Sequence, residues 1–109
     1  MKPAEERAWL GVGIDVVDPL IADELGLDPD QRGALITQTV RGAPAATAGL
    51  EAGDVIVGIE DERVESPEDL TRVLTEFEPG DRITLAIVNE DGADSVELTL
   101  ERRPVPAEE

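Results

Sequence analysis

The apolar residues of this chain come in short alternating bursts, and each burst is closed by glycine, proline or a charged turn. Leu10, Val12, Ile14 and Val16 alternate with Gly11, Gly13 and Asp15, the pattern of a strand with one buried face running from Trp9 to Val17, and Pro19 ends it. A β-branched run over Ala34 to Val40 predicts a second strand, Val55 to Ile59 a third, and Ile83 to Asn89 and Ser95 to Glu101 the last two. Asp91-Gly92, inside Glu90 to Asp94, marks the turn of a hairpin between those two. Helical spacing is confined to short stretches. Leu20, Ile21 and Leu25 lead up to Gly26, and Pro44 to Gly49 carries proline at its start and glycine at its end. Leu70, Val73, Leu74 and Phe77 form an apolar stripe behind Ser66 as N-cap and Pro67 in the first helical position. Asp69 supplies an acidic variant of the capping box, and Pro79-Gly80-Asp81 stops the helix. Such an alternation predicts an α+β fold: a small, mostly antiparallel β-barrel or sandwich with two or three helices.

Composition narrows the functions open to that fold. At 109 residues the chain has room for one ordinary domain. Its apolar residues are nearly all aliphatic, with Trp9 and Phe77 as the aromatics, enough for one small core. No apolar run reaches the roughly 18–20 residues needed to span a bilayer, and Met1 to Arg7 lacks the apolar stretch of a signal peptide. The net charge is −17, from 26 acidic against 9 basic residues. Phosphate binding needs clustered Lys and Arg, so nucleic acid is excluded as a partner, and an anionic membrane surface is excluded for the same reason. The chain contains no histidine and no cysteine, so it holds no Ser-His-Asp or Cys-His nucleophile, no disulfide and no Cys/His zinc site. No enzyme activity, metal or cofactor is expected of it. The many carboxylates read as a solvated surface.

The most specific stretch is Gly42-Ala43-Pro44-Ala45-Ala46-Thr47-Ala48-Gly49-Leu50-Glu51-Ala52-Gly53-Asp54-Val55-Ile56. It resembles the S-P-A-x-x-A-G-L-x-x-G-D-x-I pattern of bacterial PDZ domains. Trp9-Leu10-Gly11-Val12-Gly13-Ile14 is similar to the x-Φ-G-Φ carboxylate-binding loop of that family, with Φ apolar. The resemblance runs over roughly residues 7 to 103. It implies a PDZ domain over 8–103, a polar lead-in over 1–7 and a polar tail over 104–109. The loop stands at the N-terminal end and the last strand closes the sheet, as in the permuted PDZ domains of HtrA/Deg-type serine proteases. A parent of that type implies a location in the cell envelope, outside the cytoplasm.

The physics of the site can be stated from the residues. A loop turning back through Leu10-Gly11-Val12 aims successive backbone N–H groups at one point, a nest for an anion, and Gly11 permits close approach. A terminal carboxylate suits it, and the edge from Gly13 to Val16 can pair with an incoming chain as an added strand. The ligand's last side chain is expected against Leu10, Val12 and Ile14. The opposite wall is the helix from Pro67 to Phe77, with Leu70, Val73 and Phe77 packed inward and Thr71 and Leu74 bordering the groove. Arg7 either supplements the carboxylate site or is a free surface arginine. Trp9 departs from the Tyr or Gly common at its position, and either shields the carboxylate or packs against the first helix.

The expected partners are thus C-terminal or unfolded polypeptide segments, bound by carboxylate and apolar last residue. A second reading is a regulatory or substrate-recognition piece of an HtrA-type protease whose catalytic domain lies outside this chain. A third is a self-associating domain whose groove is filled by its own tail, although Glu109 suits an apolar pocket poorly. On a surface this acidic, acidic peptides should bind worse than neutral or basic ones, with the penalty shrinking as salt rises.

Overall fold

In the computed structural model, which describes residues 8–102, β1 (Ala8–Trp9) is followed by β2 (Val12–Val16), α1 (Pro19–Glu24), β3 (Ala34–Thr39), α2 (Pro44–Thr47) and β4 (Val55–Ile59). Then come β5 (Glu62–Arg63), α3 (Pro67–Leu74), β6 (Arg82–Asn89), β7 (Gly92–Thr99) and β8 (Glu101–Arg102). The main sheet is antiparallel throughout and has the order β2-β3-β4-β6-β7, with β5 paired to β4. β1 and β8 form a separate two-stranded ribbon. The expected α+β class, antiparallel sheet and three helices are all present. The sheet stays open rather than closing into a barrel: the last strand meets β1, and β2 and β7 are left as the two edges.

Each helix is set by local chemistry. Asp18 caps α1 by accepting from the Ile21 N–H at 2.9 Å, and Ser66 caps α3 by accepting from the Asp69 N–H at 3.1 Å. Pro44 fills the first position of α2, and Gly49, at φ +95°, ends it in the left-handed conformation. Asp69 closes the capping box one residue earlier than expected. Its carboxylate accepts from the Glu65 N–H at 3.0 Å rather than from Ser66, so it braces the chain that enters α3.

Three boundaries differ from the sequence expectation. The run from Trp9 to Val17 is not one strand, because Gly11 sits at φ +78° and no extended strand passes through that conformation. The hairpin turn is tighter than Glu90 to Asp94: Asn89 pairs with Gly92, leaving Glu90 and Asp91 as the loop. The stretch Glu60 to Arg63, whose charges predict a turn after β4, contains a strand of its own, β5.

The main core gathers Leu10, Ile36, Ile56, Ile59, Leu70, Val73, Ile83, Leu85 and Leu100 between the sheet and α3. A truncation such as Leu70→Ala there costs about 2–5 kcal/mol. Among the described residues no polar or charged side chain is buried, so the acidic surplus sits in solvent and asks nothing of the core. None of the described helices is long and apolar enough to cross a membrane.

Candidate functional site

The loop between β1 and β2 is fixed by its carbonyls. The Leu10 carbonyl accepts from the Ala45 N–H at 3.0 Å, and the Gly11 carbonyl accepts from the Val40 N–H at 2.8 Å. In a trans peptide the N–H points opposite to the carbonyl, so the N–H groups of Gly11 and Val12 turn away from α2 and β3. Gly11 is required twice over at this point. Its φ is left-handed, and a Cβ there would overlap the Cβ of Ala43 while lying 3.4 Å from Cζ2 and Cη2 of Trp9. Trp9 is therefore half-buried against the loop itself.

The register shows which main-chain groups of β2 face outward. Ile36, opposite Ile14, donates to the Asp54 carbonyl at 2.9 Å and accepts from the Gly53 N–H at 2.9 Å, both on the β4 side. Ile14 and Ile36 are thus a pair without mutual hydrogen bonds, and the N–H and C=O of Ile14 point to the open edge. Alternation along β2 gives Val12 and Val16 the same orientation, in agreement with the Gly11 carbonyl turning inward. A bulge skips Thr37 between the pairs Gly13–Gln38 and Ile14–Ile36. A Cβ on Gly13 would lie 2.8 Å from Thr37 Oγ1, so the glycine makes room for it.

The side chains divide the edge from the core. Val12 and Ile14 are half-buried and pack on the main core cluster, as does Leu74. Leu10 is 2% exposed, so it offers the loop its main chain while its side chain belongs to the core. Along α3, which packs against β2, β3 and β4, Leu70 and Val73 are buried, Phe77 is half-buried beyond the helix end, and Thr71 is exposed. The Thr71 hydroxyl donates to the Pro67 carbonyl at 3.2 Å, and Pro67, Thr71 and Leu74 share one face. Val12, Ile14 and Leu74 thus each pack on the main core, on β2 and on the α3 that lies against it, while Leu10, Gly11 and Trp9 make up the adjoining loop. Arg7 lies outside the described residues.

Electrostatics leave this strip uncharged up to Asp15. Asp69, at the start of α3, is held below its ordinary carboxylate range first by the Glu65 N–H and then by the Arg72 guanidinium at 3.1 Å. A surface hollow of about 440 Å³, lined by Phe77, Arg82 and carboxylates including Glu60 and Glu76, touches neither β2 nor Leu74. Its open, acidic wall is a solvated surface.

Sequence reasoning missed Ala43, Val40 and Ala45, which shape the loop from outside it. Their roles depend on contacts across the fold, and the only local hint is the small residue beside Pro44.

Three comparisons bear on this arrangement. The family described as "PDZ domain" matches residues 8–100. A protein of Brucella suis named "Probable periplasmic serine endoprotease DegP-like" is 36% identical over 103 residues, which is 94% of this chain and 20% of that protein. The solved structure of the HtrA-type protease AlgW with a decapeptide superposes with a TM-score of 0.82 at 28% identity, over 93% of this chain and 31% of that one. This chain therefore spans about a fifth of the curated relatives it matches.

Proposed function

The chain belongs to the PDZ domain family, of the kind carried by HtrA/DegP-type proteases, and on that premise we propose that it captures the carboxyl end of a polypeptide by strand addition to β2. One observation carries this reading: Ala45 and Val40 hold the carbonyls of Leu10 and Gly11, which turns the N–H groups of Gly11 and Val12 outward at the end of an open edge. A terminal carboxylate is an occupant that accepts from both, and charge-assisted bonds of this kind are the strong ones. The ligand's last residue then donates its N–H to the Val12 carbonyl. The third from the end exchanges both bonds with Ile14, and alternate side chains turn toward Val12, Ile14 and Leu74. An apolar last residue fits that lining. The peptide bound by AlgW supports a polypeptide as the ligand class.

The test is a set of peptides with apolar ends, each measured as free acid and as C-terminal amide. The amides should bind about 10- to 100-fold more weakly, the worth of a charged hydrogen-bonded group. Equal affinity for acid and amide overturns the reading.

The names of the relatives favour one wider setting, in which this domain recognises substrate or regulates an HtrA-type serine protease outside the cytoplasm. The catalytic residues of such a protein lie elsewhere, since this chain has no histidine. A parent gene with an upstream Gly-Asn-Ser-Gly-Gly-type segment supports that setting, and a free-standing reading frame counts against it.

A further inference from the structure

The open edge of β2 is not equally open along its length. Val16 points its N–H outward by the alternation that turns Ile14 outward, yet this donor is already taken. Asp15 Oδ1 accepts from it at 2.7 Å. The opposite edge of the sheet repeats the device. Thr84 accepts from the Glu60 N–H at 2.9 Å and donates to Glu60 Oε2 at 2.8 Å, so it faces away from β7. Its partner Glu97, and Ser95 by alternation, therefore face the outer edge of β7. The outward N–H of Ser95 is held by Asp94 Oδ1 at 2.8 Å. Each edge of this sheet thus carries an aspartate that covers the outward donor of the residue after it. A carboxylate in that place both occupies the donor and repels a neighbouring chain.

We propose that Asp15 sets where strand pairing along β2 stops: main-chain exchange with a ligand ends at Ile14, because the Val16 donor is already held. The inference rests on the strand-addition reading above. In that geometry the fifth residue from the ligand's end lies opposite Val16, and its carbonyl needs the N–H that Asp15 holds. Its own N–H can still reach the Val16 carbonyl, but the exchanged pair is broken. Val16, which is 49% exposed, marks where the groove side runs out. The acidic cap also disfavours a carboxylate at the ligand positions near it and tolerates a basic one.

The experiment compares a tetrapeptide with a heptapeptide that shares its end, extended by neutral residues, on the native domain and on two variants. Asp15→Ala removes the cap and its charge. Asp15→Asn keeps an acceptor beside Val16 and removes only the charge. The native domain should bind the two peptides within about twofold of each other, while Asp15→Ala gains about five- to tenfold for the heptapeptide alone, the worth of one freed hydrogen bond. Asp15→Asn should keep the native length dependence. An equal gain from Asp15→Asn would mean that charge rather than the covered donor sets the limit, and would overturn the proposal. So would a native preference for the heptapeptide of the size expected for Asp15→Ala. If the tetrapeptide binds as acid and as amide alike, it is the strand-addition reading that fails. Asp94→Ala, on the other edge, should leave both peptides unchanged.

Discussion

The two edges of the main sheet, β2 and β7, began with the same liability and were finished differently. Both present a row of outward N–H and C=O groups, and both carry an aspartate over one donor. Along β7 the side chains from Gly92 to Ser95 are exposed, Glu97 reaches Arg82 of β6 at 3.8 Å in a well-exposed pair, and a two-residue turn starts the strand. Such a pair contributes little to stability, but its charges discourage another chain from pairing there. Along β2, by contrast, Val12, Gly13 and Ile14 bear no charge, α3 stands alongside, and a fixed loop of outward N–H groups closes the end. On the strand-addition reading, an edge becomes a place for a ligand by three additions: an uncharged stretch, a wall, and an anchor that fixes register.

The anchor is the most sensitive of the three. Gly11→Val forces a β-branched residue into φ +78° and against Ala43, at a cost of about 2–5 kcal/mol of stability, and should abolish measurable peptide binding. Gly92 at the head of β7 is its counterpart, with φ +118° but open space around its missing Cβ. Gly92→Ala should cost only the backbone strain, about 1–2 kcal/mol, and leave binding intact, which chemical denaturation and peptide titration measure side by side. If both variants bind alike, the contrast between the edges fails at its anchor.

The wall comes next. Leu74 and Val96 are both half-buried aliphatic residues packed on the main core, one beside β2 and one within β7. Leu74→Ala and Val96→Ala should each lose about 1–2 kcal/mol in thermal or denaturant unfolding. Only Leu74→Ala should also weaken an apolar-ended peptide, by about five- to tenfold. Equal losses of affinity would show that binding follows stability rather than the groove.

The smallest effect belongs to the brace of α3. The Asp69 carboxyl is depressed by the Glu65 N–H and Arg72, so the folded state holds its proton less tightly than the unfolded chain does. The stability this contributes is complete above the ordinary value of 3.8 and is lost as pH falls through the lowered folded value. Asp69→Asn should therefore unfold at a lower temperature than the native domain at neutral pH, with the gap closing in acid below 3.8. A gap that is constant with pH would mean that the brace is not ionic.

Much of this was legible in local sequence. Ser66, Pro67 and Gly49 punctuate helices where capping chemistry requires, and Leu70 and Val73 face the core as their spacing dictates, whereas the Asp18 cap of α1 emerged only in the structure. Thr71 and Leu74 lie on one helix face with Pro67, as their spacing expects. The break at Leu10-Gly11 was not legible as a boundary, because alternation continues through it and only φ at Gly11 interrupts the strand. Nor was the placement of Leu10, which alternation puts with Val12 and Ile14 although its side chain is fully enclosed.

The sequence by itself determined the longer strands and the three helices, the caps at Ser66 and Gly49, the acidic surface, the absence of a histidine or cysteine centre, and the family resemblance, since each depends on residues close together along the chain or on composition alone. Only the tertiary structure decided that β2 and β7 are the edges, that Val12, Ile14 and Val16 turn their main chain outward, and that Asp15 covers one of those donors. Those facts depend on which strand lies beside which and in what register. Here a bulge at Thr37, together with bonds from Gly53 and Asp54 to Ile36, fixes the register through partners far apart in the chain.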